Sequence, residues 1–337
     1  MRGALMYFLR FAIGAVLAWL LGYVLIRTTG ERWHRLGGRN PVDPVHSYQH
    51  FAEPVDMVFF GTSSTRNAIV PELLEQELAK LVGREVSIWN LGLPNATPEI
   101  GRILAEDFFQ KNKPRYLVLE AAPFLWDGDR GGDADFSVYW RWFSSPSSLM
   151  SRDRPLRRQD VIPFLRNLDR DWEDIWASCQ LIRIEDLRAE ELFLPPQGGL
   201  YRMSDLPLPR RGDPVDQTKP NRESKRVSHY STPQIWRDEL DHILASCREN
   251  DIQVILMHQP MYERLLPIFE VGTYEAFLAW MTTVAQANDL PLLLLQDQIP
   301  MEVKHFRDYI HYSPQGAAHF TREVAPLLAP LLQEERE

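Results

Sequence analysis

The chain of 337 residues is long enough for one large domain with an insertion or for two modest domains. Its hydrophobic fraction of 45%, with 16 Phe, 11 Tyr and 10 Trp, excludes a disordered protein, because disordered chains are poor in aromatic residues. The formal net charge of -9 argues against a nucleic-acid partner, since phosphate backbones are held by clustered positive charge.

The chain begins with an apolar run at residues 4–26, ALMYFLRFAIGAVLAWLLGYVLI. A helix of this length spans the roughly 30 Å of a bilayer core, so residues 1–27 are predicted to form one transmembrane anchor. A cleavable signal peptide is the alternative, but the apolar region is long for one and no A-x-A site follows. Arginines after the run favour a cytoplasmic body by the positive-inside rule: Arg27, Arg32, Arg35 and Arg39.

After a linker at 28–53, apolar runs of strand length alternate with amphipathic stretches. The runs lie at 55–61, 86–92, 115–123, 252–260 and 291–297. Continuous apolar strands are typical of a parallel sheet that is covered on both faces. Helical stretches lie at 71–83, 98–114, 234–251 and 313–332. This alternation predicts an α/β protein, with a mainly parallel sheet in a three-layer α/β/α sandwich at residues 54–335.

Residues 124–233 interrupt this alternation and are predicted to be an insertion with a few helices, for example at 169–187. The insertion follows a central strand, so it is either a lid or substrate wall, or a packing elaboration or docking surface. Four aspartates at 126–135 lack the spacing of a calcium loop, and no metal site or cofactor is predicted. Cys179 and Cys247 could form a disulfide or remain separate thiols.

Small hydroxyl residues follow the first predicted strand, in the sequence GTSST at 61–65. A serine in this strand-to-helix turn lies at the carboxyl edge of the sheet, where Ser63 could act as a nucleophile. Ser64 is a rival nucleophile or a helix cap, since serine and threonine also favour caps and turns. The turn could instead cradle a phosphate. Glu120 and His258 end strands at the same edge, as cleft or structural residues.

A serine nucleophile needs a base, and the base needs a group that orients it. Asp308 and His311 are three residues apart after the last predicted strand. In one turn the carboxylate can face one imidazole nitrogen, which fixes the tautomer and stabilises the imidazolium. The pair therefore predicts a base and its orienting group for Ser63.

Three segments carry a resemblance to a known family: GTSS at 61–64, NLGLPNAT at 90–97, and DYIH with YSPQG at 308–316. They resemble blocks of the SGNH, or GDSL, hydrolase superfamily. The most similar branch contains the D-alanyl transfer protein of teichoic acid synthesis and the alginate-type O-acetyltransferases. The resemblance implies a flavodoxin-like sandwich with Ser63 as nucleophile, His311 as base and Asp308 as its orienting group. It also implies an oxyanion hole formed by the backbone N–H groups of Ser63 and of Gly92 or Asn95. Apart from the resemblance, Ser64 is a candidate substrate-binding residue, and Arg66 either holds a substrate carboxylate or phosphate or is solvated or paired locally.

The sequence departs from the family pattern at three places. Thr62 replaces the usual aspartate, Asn95 stands where a glycine is usual, and LEAAPFLW at 119–126 offers no third-block asparagine. Each lost oxyanion donor typically costs about 10² to 10³ in rate. A catalytically silent scaffold or glycan-binding module therefore stays open as an alternative.

The resemblance implies a membrane-anchored serine acyl-transfer enzyme that acts on a cell-envelope glycan. Its expected partners are an acyl donor, a glycan acceptor and a multi-pass membrane acyltransferase that hands over the acyl group. This role requires the domain to lie outside the cytoplasmic membrane. The arginines that follow the apolar run favour the opposite orientation. Whether it is an O-acyltransferase or an esterase is open, because that depends on how well the cleft excludes water.

Overall fold

The computed structural model describes residues 48, 53, 55–93, 96–109, 112–126 and 231–333. Five parallel strands form one sheet in the order β2-β1-β3-β4-β5. The strands are β1 Val55–Gly61, β2 Ile88–Gly92, β3 Pro114–Glu120, β4 Gln253–His258 and β5 Leu292–Leu294. This order is flavodoxin-like, and it places β1 and β3 at the centre, where ligands bind to open α/β sheets.

The strand register brings the carboxyl ends of the strands to one edge of the sheet. Gly61 pairs with Gly92, Glu120 with Met257, and His258 with Leu294. Loops that leave these ends must therefore meet at the same edge, where the turn after β1 begins.

Seven α-helices lie within the described residues. They are α1 Ser63–Ala68, α2 Pro71–Val82, α3 Pro98–Ile103, α4 Pro123–Trp126, α5 Gln234–Glu249, α6 Thr273–Asn288 and α7 Pro314–Leu328. Helix α2 begins at a proline and is followed by the capping residue Gly83 with φ 72°, which are ordinary start and stop signals. Helix α3 continues into one π-helical segment, Leu104–Phe108.

Two apolar clusters fill the space on either side of the sheet. On one face, Phe59 and Val118 pack with leucines of α2 and with Phe320 of α7. On the other face, Phe60 and Leu117 pack with apolar residues of α3, α5 and α6. The predicted α/β/α sandwich with a parallel sheet is thus confirmed for the described residues.

Helix α6 is the main element that the sequence pattern did not predict. Its apolar side chains lie all around the helix, so no single stripe at the helical period marks it. Phe277 and Met281 are buried, while Leu278, Trp280 and Val284 are half-buried. The predicted helix at 98–114 is also shorter than expected, since β3 already begins at Pro114.

Several sequence-based predictions lie outside the described residues. They are the anchor at 1–27, most of the linker at 28–53, the helices and aspartates of the insertion, and Cys179. Within the described residues, no helix combines the length and apolarity that crossing a bilayer requires. Tyr48, from the predicted linker, is fully buried between the rings of Trp89 and Phe109. Cys247 is a free thiol whose burial raises its pKa to about 12.

Candidate active site

The turn between β1 and α1 carries the predicted nucleophile. Thr62 caps α1, with its hydroxyl oxygen accepting from the Ser64 N–H at 3.2 Å. Ser63 is the first residue of α1, and its N–H has no acceptor among the described residues. This free N–H at the start of a helix is suited to stabilising negative charge on an oxygen near the Ser63 hydroxyl.

The loop between β5 and α7 carries the predicted base and its orienting carboxylate. His311 Nδ1 lies 2.7 Å from Asp308 Oδ2 and 2.9 Å from Oδ1. Asp308 Oδ1 also accepts the N–H groups of Ile310 at 3.0 Å and of His311 at 2.8 Å. The carboxylate is therefore locked in its own turn, and it holds the imidazole with a proton on Nδ1.

Ser63 and His311 meet although 248 residues separate them, with 2.7 Å between His311 Nε2 and Ser63 Oγ. This distance is within the range expected for a nucleophile and its base. The Asp308 and His311 side chains remain 32% and 14% exposed, so a substrate can reach the pair. The three residues thus form a Ser-His-Asp arrangement at the carboxyl edge of the sheet.

The charge of Asp308 is maintained by its hydrogen bonds. Burial alone would raise the pKa of Asp308, but the hydrogen bond and charge of His311 and the N–H groups of Ile310 and His311 hold that pKa below its usual value. The carboxylate therefore stays ionised at neutral pH, where it can stabilise an imidazolium on His311.

Of the two residues predicted for the oxyanion hole besides Ser63, Gly92 lies within the described residues. The Gly92 N–H donates to Asn90 Oδ1 at 2.9 Å, so it is already paired within the protein. An added Cβ at Gly92 would overlap the Arg66 backbone, lying 2.7 Å from Arg66 Cα. Gly92 therefore permits α1 to approach β2 closely, while Asn95 lies outside the described residues.

The other two predicted substrate residues, Ser64 and Arg66, lie in α1 after Ser63. The Ser64 side chain is buried, and its hydroxyl has no hydrogen-bond partner within the described part of the chain. Arg66 lies half-buried in the last turn of α1. It is Ser63, not Ser64, that is hydrogen-bonded to the histidine.

Two buried polar residues hold α1 in place: Glu120, which the sequence left open as a cleft or structural residue, and Asn90, which sequence reasoning did not single out. Asn90 donates to the carbonyl oxygens of Thr65 at 3.1 Å and Ile69 at 2.9 Å. Glu120 accepts the Thr62 N–H and the hydroxyls of Thr62 and Thr65. These Thr62 and Thr65 donors are therefore not available to cradle a phosphate. The sequence did contain a sign of the structural role of Asn90, because it is a polar residue inside an otherwise apolar strand.

His258 is a structural histidine rather than a residue of the cleft. The residue is 1% exposed, and its Nε2 lies 3.1 Å from the Tyr274 hydroxyl of α6. Burial lowers the pKa of His258 to about 4, although backbone hydrogen bonds of His258 and Gln259 oppose the shift. The ring is therefore neutral in the folded protein at neutral pH.

The lowered pKa of His258 predicts sensitivity to acid. Because the unfolded state binds a proton near pH 6.5 and the folded state only near pH 4, stability is lost as the pH falls between these values. Between pH 7 and 5 the loss is about 2 kcal/mol. We expect His258→Gln to show a smaller difference between the free energies of unfolding at pH 7 and 5. Equal losses in His258→Gln and the wild type would contradict this.

A matched control for His258→Gln is the same substitution at His242, which is exposed on α5. His242→Gln should leave the difference between pH 7 and 5 as in the wild type, because no buried imidazole is removed. The pair of variants thus separates burial of one ring from the general response of the chain to acid.

The chain matches no protein-family model, and no curated protein matches it significantly. Among solved structures it is similar to TesA, at 13% identity and a TM-score of 0.41, over 82% of this chain and 99% of that one. It is similar to a GDSL-like lipase from Bacteroides thetaiotaomicron, at 12% identity and a TM-score of 0.41, over 86% and 96% of the two chains. A lipase/acylhydrolase from Enterococcus faecalis gives 12% identity and a TM-score of 0.37, over 82% and 96%. Similarities this weak do not define the chemistry of this chain, which is inferred below from its own residues.

Proposed function

We propose that this protein is a serine acyl-transfer enzyme, an O-acyltransferase or esterase, in which Ser63 is the nucleophile, His311 the base and Asp308 its orienting group. The observation that supports the proposal is the 2.7 Å hydrogen bond between Ser63 Oγ and His311 Nε2, with Nδ1 of the same ring held by Asp308. A nucleophile, a base and an oriented carboxylate in this order are what acyl transfer through serine needs.

In the first half of the reaction, His311 Nε2 takes the Ser63 proton while Ser63 Oγ bonds to the acyl carbonyl carbon. The carbonyl electron pair moves to its oxygen, which the Ser63 N–H can stabilise. The bond to the leaving oxygen then breaks, and that oxygen takes the proton from His311. The product is an acyl ester of Ser63.

In the second half, His311 takes a proton from the acceptor hydroxyl, either a sugar hydroxyl or water, as the acceptor oxygen attacks the acyl carbon. The bond to Ser63 Oγ breaks, and Ser63 recovers a proton from His311. Asp308 stabilises the imidazolium in both halves, because its pKa is held below the usual value. The same residues serve transfer and hydrolysis, and the acceptor decides between them.

The proposal extends to a membrane-anchored enzyme that acts on a cell-envelope glycan outside the cytoplasmic membrane, with a multi-pass acyltransferase supplying the acyl group. The apolar run at 4–26 and the family resemblance of the motifs support this extension. A fusion of alkaline phosphatase to the carboxyl end tests it. Phosphatase activity in cells supports an external domain, while an inactive fusion of full abundance argues for a cytoplasmic one.

The silent scaffold or glycan-binding module remains the second candidate, because no asparagine follows β3 in the sequence at 119–126. It has no need for a hydrogen bond between Ser63 and His311. The 2.7 Å distance therefore favours the enzyme.

The direct test of the proposed function is acyl-enzyme formation by the full-length chain with p-nitrophenyl acetate. We expect a burst of p-nitrophenol equal to the enzyme concentration, and an acetyl group on a peptide containing Ser63 after acid quenching. Added glycan oligosaccharides should accelerate release of the acetyl group in a transferase and have no effect in an esterase. Absence of both burst and acetylated peptide, as in Ser63→Ala, would favour the silent module.

A further inference from the structure

A buried carboxylate lies directly beneath the turn that carries Ser63. Glu120 is the last residue of β3, and it is 2% exposed. Its Oε2 accepts the Thr62 N–H at 2.5 Å and the Thr65 hydroxyl at 2.7 Å, and its Oε1 accepts the Thr62 hydroxyl at 3.0 Å. Three donors from one turn of chain thus converge on one carboxylate.

Neighbouring residues leave space for the Glu120 side chain and hold its backbone. An added Cβ at Gly61 would overlap Glu120 Oε2 and the Thr65 hydroxyl, and it would lie 2.6 Å from Glu120 Cβ. The glycine that ends β1 is therefore what makes room for Glu120. The Trp126 indole N–H donates to the Glu120 carbonyl at 3.1 Å, which fixes the backbone on the other side.

The hydrogen bonds of Glu120 determine how Ser63 is presented. Because the Thr62 hydroxyl donates to Glu120, a lone pair of its oxygen remains for the Ser64 N–H, which lies 3.2 Å away. Ser63 is thus flanked on both sides by threonines, Thr62 and Thr65, that are tied to the same carboxylate. The second turn of α1 is held separately by Asn90.

We propose that Glu120 is a positioning residue for Ser63, which keeps the serine hydroxyl within hydrogen-bond distance of His311. This inference rests on the proposed function and adds a residue to its machinery. A carboxylate suits the site better than an amide, because the Thr62 N–H and the hydroxyls of Thr62 and Thr65 all donate to it and a carboxylate accepts at both oxygens. An amide would direct an NH₂ group at one of these donors.

The test is Glu120→Gln in the full-length chain, since glutamine keeps the size of the side chain. One threonine donor then faces an NH₂ group in place of an acceptor, and we expect the turn to shift. We expect kcat for p-nitrophenyl acetate to fall about 10- to 100-fold with little change in KM, because small misplacements of a reacting group have effects of this size. Thr65→Val, which removes one of the three donors, should lower kcat in the same direction by a smaller factor.

A matched control is Glu239→Gln, which alters another buried carboxylate. Glu239 lies on α5, on the opposite face of the sheet from α7, and binds Arg102 Nε at 2.5 Å. It should destabilise the protein without lowering kcat of the folded fraction. A wild-type kcat in Glu120→Gln, or equal losses of kcat in the two variants, would overturn the proposal.

A crystal structure of each variant gives a readout that does not depend on activity. We expect the distance from Ser63 Oγ to His311 Nε2 to exceed hydrogen-bond range in Glu120→Gln and to stay near the wild-type 2.7 Å in Glu239→Gln. An unchanged distance in Glu120→Gln would overturn the positioning role. If the wild type forms no acyl-enzyme, the proposed function fails, and these distances still decide whether Glu120 positions Ser63.

Discussion

Replacing His311 by alanine in the full-length chain is expected to lower kcat for hydrolysis of an activated ester by about 10⁴- to 10⁶-fold. The imidazole is the only group bonded to the Ser63 hydroxyl among the hydrogen bonds of the described residues, at 2.7 Å. Without it, the serine proton has no acceptor as the bond to the acyl carbon forms. KM should change little, because the lost interaction acts mainly in the transition state.

The control is the pair Ser63→Ala and Ser63→Ala/His311→Ala. Because nucleophile and base act as one unit, both should be about as slow as His311→Ala alone. Replacing Ser64, whose hydroxyl is buried and not bonded to His311, should not produce a loss of this size. Multiplicative losses in the double variant, or a His311→Ala enzyme of wild-type rate, would contradict the triad.

Replacing Gly92 by alanine is the second substitution with a large expected effect, although the Gly92 N–H donates to Asn90 and not to the triad. The new Cβ would lie 2.7 Å from Arg66 Cα and would overlap the Arg66 backbone nitrogen, so α1 must move away from β2. We expect overpacking to reduce the free energy of unfolding by about 1 to 3 kcal/mol. The shift of α1 should lower kcat about 100-fold, since the helix carries Ser63.

Gly101→Ala provides the control for this substitution. Gly101 lies in α3, and an added Cβ there would be 2.6 Å from the ring of Phe60 and 3.0 Å from the Ile243 side chain. It should therefore destabilise the fold without moving α1. Chemical denaturation and kcat at saturating substrate check both variants. A Gly92→Ala enzyme that keeps the wild-type kcat would contradict the view that Gly92 sets the position of the nucleophile.

The sheet and most helices could be predicted because their patterns are local. The apolar run at 55–61 coincides with β1, and the proline and glycine that bound 71–83 mark the ends of α2. Helix α6 escaped prediction because its apolar residues surround it and because no polar cap marks its start. It begins after Gly272, with φ 82°, and is followed by the capping residue Asp289, with φ 53°.

The three triad residues were predictable because each follows a strand of the parallel sheet. The ends of such strands meet at one edge, so the order along the chain indicated where these residues lie. Ser63 follows β1, while Asp308 and His311 lie close together in sequence after β5. The roles of Glu120 and Asn90 were not predictable, because each depends on contacts with residues at least 21 positions away. Gly92 illustrates the same limit, since its N–H was expected to face the substrate but donates to Asn90.

The most direct test of the central claim, that His311 activates Ser63, is mass spectrometry of the full-length chain after treatment with a fluorophosphonate probe. The account predicts one adduct, on Ser63, that is absent in Ser63→Ala and strongly reduced in His311→Ala. No adduct, under conditions that label a control serine hydrolase completely, would contradict it. An adduct on Ser64 would contradict the assignment of the nucleophile.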